Sequence, residues 1–171
     1  IGSQVVHGQV TRGLELTSLF EDLQQTGSIP DTKVLSYETR PASAIIAEHL
    51  GIPAGSPVLE VLRLRTAGGV PVAMLHNWIP ESTGQIAKTE FEKHGFYEIL
   101  RSRGLVPQVA KQKISARRVT QAESLALGIE SGAAVLAMGR TAYDSMGRAI
   151  EHGEHIYRPD LYSLEFTVVK K

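Results

Sequence analysis

Two segments of the chain share a ten-residue pattern, and this repeat restricts the folds that the chain can adopt. The segments are LGIPAGSPVL at 50–59 and LGIESGAAVL at 127–136. Each follows a helix-like stretch and precedes a hairpin-like stretch. A single duplication of a helix–hairpin unit predicts an α+β fold with two pseudo-symmetric halves, since a solenoid needs at least three units. The same alignment places Arg63 on Arg140.

The remaining pattern predicts strands joined by tight turns, with short helices between them. Alternating apolar residues predict strands, and apolar residues three or four apart between capping residues predict helices. Because hairpins connect most strands, we expect one mainly antiparallel sheet flanked by helices. Strands are predicted at 33–40, 58–66, 70–80, 106–119, 134–144, 148–159 and 163–170, helices at 16–27, 41–51 and 120–128, and a helical region at 81–103. The 41–51 helix is predicted to begin at its proline and the 120–128 helix at a Thr120–Glu123 capping box.

Composition narrows the function. The 171 residues carry 18 Lys and Arg, 18 Asp and Glu and no cysteine. A single domain is expected, without disulfides, and the neutral charge argues against a free-standing DNA-binding domain. The basic stretch 111–118 alternates in the manner of a solvated strand face. The absence of cysteine fits a cytoplasmic protein, and the first residue, Ile1, suggests a piece of a longer one. No apolar run has the length of a membrane helix.

The segment AIEHGEHIYRPD at 149–160 raises the question of a metal site. His152 and His155 are three residues apart, a spacing that places them on opposite faces of a strand. They are therefore not expected to bind one ion together. The chain also lacks GxSxG, Walker, HExxH and GxGxxG motifs. We expect no metal, no cofactor and no catalytic residues.

The strand period groups several polar residues on one side of the predicted sheet. Glu151, His155 and Tyr157 share one face of their strand, and Arg63 and Arg65 share one face of theirs. Two interpretations of the arginines remain open. In the first, they line a pocket for an anion, because the guanidinium fork suits a carboxylate or phosphate. In the second, the ends of the two side chains reach solvent at the rim of the sheet. If the arginines are buried they need partners, and Glu151 and a bound anion are the two candidates.

The order of these motifs resembles the UTRA domain, the effector-binding module of GntR/HutC-type bacterial transcription regulators. The resemblance runs from about residue 14 to 169 through TSLFEDLQQTG, VLSYETRPAS, LGIPAGSPVLEVLRLR, GVPVAMLHNWIP, FYEILRSRGLVP, ESLALGIESGAAVLAMGRTAYDSMGRAIE and YRPDLY. It implies a chorismate-lyase-like α+β fold, a homodimer and a small-molecule effector. It also implies operator binding through an N-terminal winged helix-turn-helix that this chain does not include.

The resemblance also implies which residues bind the effector. In sugar-phosphate-sensing members an RxR strand supplies two arginines, a glutamate and a tyrosine six apart bind polar groups, and the first helix offers backbone N–H groups. To these we add His155 from its strand face and Arg140 from the repeat. The effector-binding residues expected are Arg63, Arg65, Glu151, Tyr157, His155, Thr17, Ser18, Phe20 and Arg140.

The chain departs from the family pattern at several polar positions. Apolar residues stand at Leu19–Phe20, at Leu75 and around Phe96, where members often carry polar ones. We therefore expect a smaller or less hydroxylated anion than an amino-sugar phosphate, with His155 contributing a donor or a charge. The alternative hypothesis is a small-molecule lyase of the chorismate lyase type, because the fold is shared and an Arg/Glu pocket serves either function. A third hypothesis is a module that only dimerises.

Overall fold

A computed structural model describes residues 4–6, 9–12 and 19–170. Six strands form the main sheet, in the order β3-β4-β5-β8-β7-β6 with every neighbouring pair antiparallel. A smaller sheet, β1-β2-β9, contains the parallel pair β2–β9. The strands are β1 (Gln4–Val6), β2 (Gln9–Arg12), β3 (Pro30–Pro41), β4 (Pro57–Ala67), β5 (Val70–Pro80), β6 (Val109–Arg118), β7 (Ala134–Tyr143), β8 (Ala149–Tyr157) and β9 (Tyr162–Leu164).

In the described part of the chain, five short α-helices and one 3-10 turn connect the strands. No helix of the described residues is both long and apolar enough to cross a membrane. The helices are α1 (Leu19–Gln25), α2 (Ala44–Leu50), α3 (Lys88–Lys93), α4 (Phe96–Ser102) and α5 (Gln121–Leu127), and the 3-10 turn is Glu81–Thr83. The mainly antiparallel α+β architecture agrees with the chorismate-lyase-like fold that the sequence predicted.

The sheet has the two-fold pseudo-symmetry that the repeat predicted. Strands β5 and β8 pair at its centre, β4 and β7 flank them, and β3 and β6 form the edges. Helix α2 precedes β4 as α5 precedes β7. Both helices end at a glycine in the left-handed conformation, Gly51 with φ 63° and Gly128 with φ 64°, which glycine adopts without strain. Arg63 and Arg140 therefore occupy equivalent places in the two halves.

Helices cover both faces of the sheet. On the face that we call outer, Leu50 of α2 packs on Val58, and Leu127 of α5 packs on Val135. On the face that we call inner, α3 and α4 pack on β4 and β5, and α1 packs beside Tyr157 of β8. This arrangement leaves the inner face of β4, β5, β7 and β8 deeply buried between two apolar clusters.

Several boundaries differ from the sequence prediction. Helix α2 begins after Ser43, whose Oγ accepts the Ile46 N–H, so Pro41 ends β3 instead of starting the helix. The 81–103 region divides into three short pieces. Of the predicted last strand, 163–170, only Ser163 and Leu164 pair, as part of β9. The Thr120–Glu123 capping box is confirmed. The basic stretch is also confirmed as a solvated strand, because almost all of edge strand β6 is exposed.

Candidate functional site: an arginine-lined cavity

A small cavity lies against the inner face of the sheet. Its volume of about 20 Å³ is that of a single water-sized group. Side chains from four neighbouring strands form its wall, and α1 and α4 cover it. It is lined by Leu19, Arg63, Arg65, Leu75, Asn77, Phe96, Tyr97, Arg140, His155 and Tyr157.

The arginines of this cavity are buried. Arg63 is 2% exposed, Arg65 1% and Arg140 5%, so the hypothesis that the arginine ends reach solvent at the rim is wrong. Their guanidinium groups lie over aromatic rings, an arrangement that stabilises a desolvated cation by roughly 2 kcal/mol. The Cζ-to-centroid distances are 5.2 Å for Arg63 on Phe91, 4.8 Å for Arg65 on Phe20 and 4.8 Å for Arg140 on Tyr97.

A hydrogen-bonded chain holds the polar side of the cavity. Arg63 Nη2 donates to Asn77 Oδ1 at 2.6 Å, and Asn77 Nδ2 donates to Glu151 Oε2 at 2.9 Å. The Tyr97 hydroxyl donates to the other carboxylate oxygen at 3.2 Å. Glu151 thus lies behind Asn77 and Tyr97 and fixes both. Arg65 is held separately, through Nη1 donating to Thr32 Oγ1.

The cavity carries an excess of positive charge. Burial lowers the pKa of Arg63 to about 10, and burial together with the Arg63 charge lowers the pKa of Arg65 to about 9. Both therefore remain protonated at neutral pH. Burial raises the pKa of the buried Glu151 carboxyl, and the charge of Arg140 is the largest opposing effect. Even with Glu151 ionised, the three arginines exceed this carboxylate by two positive charges.

Some guanidinium donors have no hydrogen-bond acceptor in the described part of the protein. These are Nε and Nη1 of Arg63 and Nε of Arg65. A buried donor without an acceptor costs about 1–3 kcal/mol, and more when it is charged. Oxygen atoms of a phosphate or carboxylate are suited to accept from them, because guanidinium N–H groups match those anions in a planar fork.

Gly153 makes room for the opposite wall of the cavity. A Cβ atom at this position would lie 2.5 Å from His155 Nε2 and 2.9 Å from Asn77 Nδ2, closer than real Cβ contacts. Glycine therefore allows both side chains to occupy the inner face together. His155 Nδ1 lies 3.1 Å from the Tyr157 hydroxyl, and Tyr157 in turn stacks on Tyr162 at 4.2 Å.

The structure brings most of the predicted effector residues together. Arg63, Arg65, Arg140, His155 and Tyr157 line the cavity. Phe20 stacks on Arg65, and Glu151 holds the lining residues from behind. The predictions for residues 17 and 18, Thr17 and Ser18, lie outside the described residues.

Sequence reasoning missed Asn77 and Tyr97. Asn77 was detectable, since it is the polar residue on the face of β5 that also presents Leu75 to the cavity. The turn at 67–69 sets the register of β4 and β5, which pairs Asn77 with Val61. Val61 is the neighbour of Arg63 on the inner face of β4, so Asn77 lies beside Arg63. Tyr97 comes from a helix whose docking on the sheet has no comparable local signal.

The two histidines of β8 are separated as predicted. His152 and His155 lie on opposite faces of β8, so they share no ion. Two other histidines, His49 and His76, have close neighbours on the outer face. The His49 ring stacks on His152 at 4.0 Å, and His76 Nε2 lies 2.7 Å from Glu60 Oε1.

Comparison with known proteins identifies the family. The sequence model described as the UTRA domain matches residues 25–163. The chain belongs to the UTRA domain family. Over 149 residues it is 32% identical to the HTH-type transcriptional repressor NagR of Bacillus subtilis, covering 86% of this chain and 61% of NagR. It is also 27% identical to the probable transcriptional regulator PhnF of Escherichia coli, with 86% and 61% coverage.

Solved structures of other proteins share the fold. A putative transcriptional regulator from Streptomyces coelicolor superimposes with a TM-score of 0.78 at 40% identity, covering 84% of this chain and 97% of that one. PhnF from Mycobacterium smegmatis gives a TM-score of 0.86 at 22% identity, with 98% and 75% coverage. The predicted similarity to GntR-family effector domains is therefore confirmed. Membership of this regulatory family supports the prediction of a regulatory domain over the lyase alternative. The chain spans about three fifths of the curated relatives it matches.

Proposed function

We propose that this UTRA domain is the ligand-sensing part of a GntR/HutC-type transcription regulator and that its effector is a small anionic metabolite. The observation that carries the proposal is the cluster of three buried arginines around one cavity. Guanidinium groups are costly to bury without compensating charge. An anion bound in this cavity supplies that charge. Its oxygen atoms also accept hydrogen bonds from the N–H groups of Arg63 and Arg65 that have no acceptor among the described residues.

The apolar part of the wall restricts the effector further. Leu19, Leu75 and Phe96 line the cavity beside the arginines. A ligand with many hydroxyl groups would leave some of them unpaired against these side chains, which disfavours a sugar with a full set of hydroxyls. A phosphate or carboxylate with a compact, mainly apolar body suits this surface best.

The size of the cavity suggests how binding is linked to regulation. A metabolite larger than a water-sized group can enter the cavity of about 20 Å³ only if lining side chains or α1 and α4 move. Binding then favours a conformation with a wider cavity, and a ligand that prefers one conformation shifts the population toward it. We propose that this shift repositions an N-terminal winged helix-turn-helix in a homodimer bound to operator DNA in the cytoplasm.

A thermal-shift screen tests the proposed ligand class. The purified chain is heated with phosphate esters, carboxylates, aromatic acids and their uncharged counterparts. At about a hundredfold excess over Kd, a ligand stabilises by about 2.7 kcal/mol and raises Tm by roughly 5–10 °C. We expect such shifts from a subset of the anions and none from the uncharged compounds.

Two arginine variants make the screen specific for the cavity. Arg63→Met removes the charge at similar volume and is expected to abolish the ligand-induced shift. Arg148→Met is the control, because the side chain of Arg148 is 67% exposed and pairs with Asp144 away from the cavity. If both variants retain the full shift, the anion binds elsewhere and the proposal fails.

A further inference from the structure

A second cluster of ionisable side chains lies on the outer face of the sheet, across β8 from the cavity. His152 of β8 is buried, whereas His49 at the end of α2 and Glu154 of β8 are exposed. One nitrogen or carboxylate oxygen from each residue lies within 4.8 Å of the others. The rings of His49 and His152 are nearly parallel, with 5° between their planes.

The buried histidine of this cluster is oriented by a neighbour on β7. His152 Nδ1 lies 2.8 Å from Thr141 Oγ1, which is also buried. When Nδ1–H donates to Thr141, the Nε2 atom carries the lone pair. Nε2 is buried without a hydrogen-bond partner among the described residues and lies 3.6 Å from Glu154 Oε1. A fixed ring with an unpartnered nitrogen beside a second imidazole and a carboxylate is the arrangement of a metal ligand held by an outer hydrogen bond.

We propose that His49, His152 and Glu154 form a binding site for a divalent transition metal ion, with zinc as the best fit. Two imidazoles and a carboxylate are a ligand set that zinc accepts, with a fourth position left for water. Metal binding requires a neutral histidine. In the neutral tautomer whose Nδ1–H donates to Thr141, Nε2 of His152 is the atom that can bind the ion.

Binding requires a limited rearrangement of the two exposed ligands. Parallel stacked rings direct their lone pairs side by side, and tetrahedral zinc needs ligand nitrogens about 3.4 Å apart with Zn–N distances near 2.0–2.1 Å. His49 and Glu154 can change rotamer into solvent, whereas Thr141 holds His152 in place. Coordination by the ion would thus replace the stacking of the His49 and His152 rings and would join the end of α2 to β8.

Cobalt titration of the tag-free chain, after removal of metal by a chelator, tests the site. Co²⁺ reports its coordination through visible absorption, and Zn²⁺ should displace it. We expect one Co²⁺ per chain and a tetrahedral-type spectrum. His49→Ala and Glu154→Gln change exposed side chains and should each weaken binding at least about tenfold, while Thr141→Val should weaken it by roughly 10- to 100-fold by releasing the His152 ring.

The matched control is His94→Ala. His94 is also exposed and lies next to a carboxylate, with Nδ1 3.2 Å from Glu98 Oε1. It lies between α3 and α4, the helices on the inner face, and it is not part of the His49–His152–Glu154 cluster. Its loss should leave Co²⁺ binding unchanged. The proposal is overturned if the wild-type chain binds no Co²⁺, or if His49→Ala and His94→Ala bind it equally. Neither outcome depends on whether the arginine-lined cavity binds an anion.

Discussion

Arg63 and Glu151 do not contact each other directly, because the side-chain amide of Asn77 stands between them and hydrogen-bonds to both. The amide oxygen accepts from Arg63 at 2.6 Å, and the amide nitrogen donates to Glu151 at 2.9 Å. A side-chain amide carries both an acceptor and a donor, so it can pair with a cation and an anion at once. This relay connects β4, β5 and β8 on the inner face and sets the position of Arg63 in the cavity wall.

Asn77→Leu should therefore destabilise the protein. The substitution removes one acceptor from Arg63 and one donor from Glu151, and both partners are buried, so we expect a loss of about 1–3 kcal/mol in the free energy of unfolding. Urea denaturation measures it. The double variant Asn77→Leu/Arg63→Met is the control: it should lose less than the sum of the single changes, because no guanidinium remains to be satisfied. Strictly additive losses would show that the relay does not couple the two residues.

Gly153→Ala should block the cavity without unfolding the chain. The added Cβ would lie 2.5 Å from His155 Nε2 and 2.9 Å from Asn77 Nδ2, so these two cavity-lining side chains must shift. We expect the anion-induced rise in Tm to disappear. Gly139→Ala is the matched control, since a Cβ there meets nothing within 4 Å and Gly139 lies on the adjacent strand β7. Equal responses of the two variants would mean that the inner face of β8 does not bind the ligand.

Acid stability should depend on Glu123, which caps α5. Its hydrogen bonds from Arg117, at 2.8 Å to each oxygen, lower its pKa to about 2. A carboxyl whose pKa is depressed by folding stabilises the protein fully above its unfolded pKa of about 4.3, and this stabilisation is lost as the pH falls toward 2. Because the pair is partly exposed, salt should reduce the effect.

Denaturation of Glu123→Gln between pH 6 and about pH 2 measures this contribution. The variant should be less stable than the wild type at pH 6 and should converge with it near pH 2. Glu98→Gln, which changes a half-exposed pair with His94, is the control and should follow the wild-type curve more closely. A constant difference between Glu123→Gln and the wild type over the whole range would contradict the assignment.

The sequence was sufficient for the antiparallel sheet and for the charged residues of the cavity, but not for Asn77. Strand β5 has the predicted bounds, because turn residues and alternation act locally. The repeat correctly predicted that Arg63 and Arg140 occupy equivalent positions in the two halves of the sheet. The strand period also separated His152 from His155 correctly, because successive side chains alternate between faces.

Long-range docking and charge placement could not be predicted in the same way. Tyr97 reaches Glu151 from α4, 54 residues away in the sequence, and no local pattern encodes that contact. His49 meets His152 only because α2 packs on the outer face of β8. The alternation of residues along β4 also could not show whether Arg63 is solvated or buried. Its burial depends on α3 and α4, which supply Phe91 and Phe96.

Calorimetric titration with an anion and its uncharged counterpart tests the central claim most directly. The pair is a phosphate ester and its parent alcohol, or a carboxylate and its amide, chosen from the compounds that raise Tm. We predict one anion bound per chain and no measurable binding of the uncharged compound. Because hydrogen bonds to charged groups contribute about 1.5–3 kcal/mol, Arg63→Met should weaken binding by roughly 10- to 150-fold. Equal affinity for the charged and uncharged compounds, or an affinity unchanged by Arg63→Met, would contradict an anion-binding cavity.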